Sequence, residues 1–217
     1  MDIKQVDQEL AEALKYFPII DFWDDISAAR LKGKLQVIEA KAQLPEMEGV
    51  DTHDCLVPGL AGAPDVSIRI YQPVGVSQPL PALLWLHGGG YVLGNVEETD
   101  FIMKELSVTV GCAVISVEYR LAPENPFPAP LEDCYSALKW LATNTAELGV
   151  DQSRIAIGGL SAGGGMAAGL ALLARDRAEI NISFQMLLCP MIDSRNITPS
   201  SYRITDNRIW NRDCNSR

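Results

Sequence analysis

Histidine is the scarcest chemistry-bearing residue in this chain: 217 residues hold two, His53 and His87. Neither sits in a His-x-x-x-His or His-Glu spacing, so a metal site has little to be built from, and neither metal nor cofactor is expected. Basic charge is short as well, 18 Lys and Arg against 28 Asp and Glu, a net charge of -10. A protein that grips a phosphate backbone needs a basic face to displace counterions, which excludes nucleic acid as a partner. No apolar run approaches the roughly 18 residues of a membrane span, so stable membrane insertion is not expected. The opening Met1-Asp2-Ile3-Lys4-Gln5 has acidic and polar residues where a signal peptide carries an apolar stretch, and a cytoplasmic setting follows. Five cysteines, Cys55, Cys112, Cys134, Cys189 and Cys214, form no C-x-x-C pair and are odd in number, neither a disulfide framework nor a zinc site. Cys112, Cys134 and Cys189 lie in apolar segments and read as small core residues.

What is present is a chain of ordinary globular composition, 47% hydrophobic and 21% charged, long enough for one α/β domain. Residues 1–45 place apolar residues at helical spacing, as in Leu10, Ala13, Leu14 and Phe17, and predict one or two amphipathic helices ahead of a sheet. Their cluster Tyr16, Phe17, Ile19, Ile20, Phe22 and Trp23 suits a lid over a pocket or plain packing on the sheet. Turn residues begin at Val57, and Val66 to Tyr71 alternates with period two, predicting a half-exposed antiparallel strand at a sheet edge. Short apolar runs at 81–86, 112–117, 154–157 and 183–188 predict further strands. Between them, Asn95 as N-cap and Gly111 as stop predict a helix over 96–110. Leu131, Cys134, Tyr135, Leu138 and Leu141 mark another with one buried stripe. Strands alternating with helices imply a mostly parallel sheet covered on both faces.

Two of these strands end in motifs. The 154–157 run leads into Gly159-Leu160-Ser161-Ala162-Gly163, the G-x-S-x-G spacing of a nucleophile elbow, where a serine at a strand-to-helix turn is held out over the sheet. A glycine-rich turn with an N-cap serine would carry the same letters. The 81–86 run leads into His87-Gly88-Gly89-Gly90, a loop whose backbone N–H groups can turn inward to hold an oxyanion.

These blocks, with Glu118-Tyr119-Arg120-Leu121-Ala122-Pro123-Glu124 and Pro126-Phe127-Pro128-Ala129 between them, resemble the bacterial hormone-sensitive lipase family of carboxylesterases over about 57–210. The resemblance implies the α/β-hydrolase fold and hydrolysis of small-molecule esters of short to medium acyl chains without a cofactor. It implies N-terminal cap helices over 1–45 and a hydrolase domain over 46–217. Leu160 departs from it, since the family usually has Asp there. In the implied roles Ser161 is the nucleophile, and Gly88, Gly89 and Ala162 supply oxyanion N–H groups. His87 and Gly90 support that loop.

A serine hydrolase of this fold places its acid and then its histidine after the nucleophile, and no histidine follows Ser161. His53 reads as a surface residue and Asp193 as a capping or turning residue. The expectation is a chain that stops before its last strands, with acid and base beyond Arg217 and the chemistry impaired. Alternatives of other kinds are a non-catalytic small-molecule-binding protein on the same fold, and an amidase or deacetylase of the same mechanism. Homodimerisation is left open.

Overall fold

The structure, a computed structural model, describes residues 6–14, 24–208 and 210–216. The aromatic cluster expected to form a lid, Tyr16 to Trp23, lies outside the described residues. The chain divides into two compact units, Met1–Ala29 with Ile192–Arg217, and Arg30–Met191.

The larger unit is built on a six-stranded sheet: β1 (Val50–Val57), β2 (Val66–Pro73), β3 (Leu80–Leu86), β4 (Ala113–Glu118), β5 (Val150–Leu160) and β6 (Phe184–Leu188), in the spatial order β1-β2-β4-β3-β5-β6. β2 pairs antiparallel with both β1 and β4, and the pairs β4–β3, β3–β5 and β5–β6 are parallel. The mostly parallel sheet is the expected one. Its edge is not: β2 lies inside, and β1 forms the rim. Of β1, VDTHDCLV, only Val57 is buried, so it lacks the alternation that marks a half-buried strand. His53 lies within this strand, exposed and opposite Ile70.

Side chains alternate across β3 and sort the helices onto two faces. Leu84 and Leu86 pack with Ile68, Ile115 and Ile157 beneath α4 (Ala129–Thr143) and α5 (Ala162–Arg177). Leu83 and Trp85 pack with Tyr71 and Val114 against Met103 of α3 (Asp100–Val110). The helix expected over 96–110 opens as a 3-10 turn, Val96–Thr99, before α3. Asn95 caps that turn by accepting from Glu97 N, and Gly111 closes α3 in the left-handed region at φ 70°. α1 (Gln8–Ala13) and α2 (Ile26–Lys41) precede the sheet. α2 buries none of its residues, so Leu31, Leu35 and Ile38 stay exposed where an amphipathic helix would have covered them. Cys112 and Cys134 are buried as expected. Cys189 is exposed, because the chain has left β6 and turns at φ 39° there.

The smaller unit carries α1 and α6 (Pro199–Arg203). Thr198 caps α6, and the Arg212 guanidinium lies 4.1 Å over the Tyr202 ring. Asp193 turns the chain as expected, accepting from Arg195 N at 3.0 Å. Among the described residues, no helix is long and apolar enough to cross a membrane.

Candidate active site

β5 meets α5 at Ser161, whose backbone stands at φ 55° and ψ -115°. A residue with a Cβ holds such a conformation only where its surroundings enforce it, at a cost of about 1–3 kcal/mol. Here the enforcement is visible. Ser161 N–H donates to Leu188 O of β6 at 2.8 Å, and Ser161 O accepts from Gly165 N and Met191 N at 3.0 Å each. The glycines on either side make room. A Cβ on Gly163 would lie 2.0 Å from Leu86 O and 2.3 Å from His87 O, and one on Gly159 would lie 2.4 Å from the Gly163 carbonyl. Strand β5, helix α5 and the end of β3 therefore touch backbone to backbone at the turn. Ser161 occupies the N-cap position of α5, yet its side chain makes no capping bond. The hydroxyl of this half-buried residue is thus not spent on the helix end, as the glycine-turn alternative requires.

The loop after β3 comes to the same place. A Cβ on Gly88 would sit 3.6 Å from Ser161 Cβ and 3.1 Å from Leu160 O. Four of the next six residues stand at positive φ: Gly89 116°, Gly90 61°, Tyr91 66° and Gly94 95°. Val92 N and Leu93 N both donate to Gly89 O, at 3.1 and 2.8 Å, and close the loop into a tight turn. The first N–H groups of α5, Ala162 among them, have no partner within the helix.

His87 serves the loop from below. It is 2% exposed, its Nδ1–H donates to Gly88 O at 2.7 Å, and its ring stacks 4.1 Å from that of Tyr119. Burial pushes its pKa down to about 4, with the Gly88 bond pulling the other way, so the ring is neutral near pH 7. Its Nε2 is buried without a hydrogen-bond partner. Several bonds that no sequence pattern announced add to the brace. Tyr119 OH donates to His87 O at 2.6 Å and Tyr91 OH to Met191 O at 3.0 Å. Ala122 N donates to Tyr91 O at 3.0 Å. Arg120 is forked onto buried Asp133, which also accepts from Arg120 N at 3.0 Å. The Tyr119 to Glu124 block is thereby pinned beside the glycine loop.

Residues 83–216 match the family model described as alpha/beta hydrolase fold. The chain belongs to the α/β-hydrolase fold family. Within that family, this chain is 41% identical over 155 residues to Carboxylesterase NlhH of Mycobacterium tuberculosis, covering 71% of its own length and 49% of that one. It is 41% identical over 128 residues to an arylesterase of Saccharolobus solfataricus, covering 59% and 41%. The solved structure titled bacterial heroin esterase superposes with a TM-score of 0.93 at 42% identity, covering all of this chain and 67% of that one. Another relative, Esterase LipI of Mycobacterium tuberculosis, is 36% identical over 188 residues, covering 85% of this chain and 57% of that one. The chain spans about half the length of the curated relatives it matches.

Neither histidine of the chain stands as a base to Ser161. His87 is engaged with Gly88 O, and His53 lies on β1, at the opposite rim of the sheet from the β5–β6 pair. Leu160, the departure from the family pattern, pairs with Leu188 and is 38% exposed beside the serine.

Proposed function

We propose that this chain carries the nucleophile and the oxyanion-binding half of a serine carboxylic-ester hydrolase acting on small esters of short to medium acyl chains. The observation that carries the reading is Ser161: a strained turn, an uncommitted hydroxyl, and the Gly88 loop against its Cβ. Ser161 Oγ attacks the acyl carbon as its proton passes to a base that the described residues do not supply, and the carbonyl oxygen becomes an oxyanion. The N–H groups of Gly88, Gly89 and Ala162 receive that charge at the N-terminus of α5, whose dipole favours it. The oxyanion collapses, the C–O bond to the alcohol breaks and the alcohol departs with that proton; water then adds its oxygen to the acyl carbon and a proton returns to Ser161 Oγ as the acid is released. Losing one such donor costs about 3 kcal/mol, or about 10² to 10³ in rate. His87 and Gly90 shape the loop and transfer no proton. Residues 1–45 act as cap helices and 46–217 as the hydrolase domain. Five free cysteines suit a reducing compartment, and we take the cytoplasm as its setting.

The test is labelling by a fluorophosphonate with turnover of p-nitrophenyl acetate, in the chain and in Ser161→Ala. Label on Ser161, lost with any turnover in Ser161→Ala, is the expected result; label that survives the substitution contradicts the serine mechanism. One observation favours a second reading, a small-molecule-binding protein on the same fold: among the described residues no histidine serves Ser161. An intact chain that binds an ester analogue but leaves the fluorophosphonate unreacted would decide for it.

A further inference from the structure

The glycine loop is held from outside as well as by its own turn, and one of those holds comes from α2. Arg30 Nε donates to Val92 O at 2.8 Å, and Arg30 Nη2 donates to Ala122 O at 2.8 Å. The far side of the same guanidinium meets both carboxylate oxygens of Glu124 at 3.0 Å each. Val92 is the residue whose N–H closes the turn onto Gly89 O, and Ala122 is the residue whose N–H holds Tyr91 O. One planar fork therefore ties both loops, at Ala122, whose N–H already joins them through Tyr91 O, and at Val92, which follows Tyr91, and Glu124 sets its plane.

We propose that Arg30 is a positioning residue for ester hydrolysis: through Val92 and Ala122 it keeps the Gly88 and Gly89 N–H groups aimed at the oxyanion of a substrate bound on Ser161. This rests on the hydrolytic reading of the site. Tyr91, a residue with a Cβ at φ 66°, and three glycines at positive φ leave the loop little intrinsic preference for its native shape. Without the fork the loop keeps its sequence and loses its aim. Substrate still binds, and the charge that develops in the transition state meets fewer donors. Lysine does not replace the arginine, because one ammonium cannot span Val92 O and Ala122 O in a fixed plane.

The experiment compares the whole chain with Arg30→Ala, Arg30→Lys and Glu124→Gln by amide hydrogen exchange and by ester kinetics normalised to titrated Ser161. Arg30→Ala and Arg30→Lys are expected to speed exchange at Val92 and Leu93 while α4 stays protected. They are expected to lower kcat about 10- to 100-fold at nearly constant KM, as a misaimed catalytic group does. Glu124→Gln, which leaves both carbonyl bonds possible, loses less than either. Unchanged exchange across 88–94 overturns the proposal. So does a loss that vanishes once rates are divided by titrated serine, since that is a folding defect. Faster exchange in Arg30→Ala together with a wild-type Ser161 that never reacts upholds the brace and refutes the hydrolytic reading instead.

Discussion

Two α-hydrogens decide whether β5 can turn into α5. With Gly159 and Gly163 the backbones touch; with a Cβ at Gly163 a methyl group would lie 2.0 Å from Leu86 O. Gly163→Ala is therefore expected to cost about 3 kcal/mol or more, read as a fall in the urea midpoint, because backbone rather than a flexible side chain must move. His87 gives a pH dependence of definite sign. Its folded pKa, about 4, lies below the ordinary 6.5 of the unfolded chain, so the unfolded state takes up the proton first. Its contribution is full above pH 6.5 and is lost as pH falls toward 4, about 2 kcal/mol between pH 7 and 5 by that difference. Urea titrations at the two pH values should show it, and His87→Asn should flatten that part of the profile. Ser161, Gly88 and Gly159 were legible as letters in a motif, because backbone strain and close approach leave only serine and glycine there. Arg30 was not, since its partners lie 62 and 92 residues away and no local pattern records them.

Elements were legible where burial is periodic. β3, β4 and the stripe of α4 bury what their spacing predicts. β1 was missed because its pairing with β2 is made by backbone bonds, which any sequence can supply, while its side chains face water. Its place is marked instead by charge. Arg69 of β2 reaches Asp54 of β1 at 2.6 Å, Glu97 at 2.6 Å and Asp100 at 3.0 Å, and Asp100 also meets Lys41 and Lys104. Burial alone would raise the Asp100 carboxyl, but bonds from Lys104, Lys41 and Arg69 outweigh it and hold the pKa near about 2. Its side chain is 3% exposed, so Asp100→Ala leaves three cations facing a gap and removes the acceptor of Tyr71 OH. The expected loss is about 3 kcal/mol in denaturant melts, with the Ser161 site intact by fluorophosphonate labelling. An unchanged midpoint would show that Asp54 and Glu97 suffice.

At the scale of the whole molecule, the parallel strands and two helical layers followed from alternating strand and helix signals, and the order of strands did not. Strand order is set by crossovers, and the local pattern of a chain carries no record of which strands neighbour each other. β6 forms one rim of the described sheet, and Phe184 on it is 63% exposed. An apolar residue on an unpaired rim is a template for association. Phe184→Lys is expected to lower the concentration-dependent mass measured by light scattering, and equal masses would mean that the rim is not a contact.

The arrangement stands or falls on where an oxyanion sits. A crystal structure of the chain carrying a phosphonate on Ser161 should place the phosphoryl oxygen about 2.7–3.1 Å from the N–H groups of Gly88, Gly89 and Ala162. A phosphonate bound to another residue, or a phosphoryl oxygen turned to solvent with those amides pointing elsewhere, would contradict it.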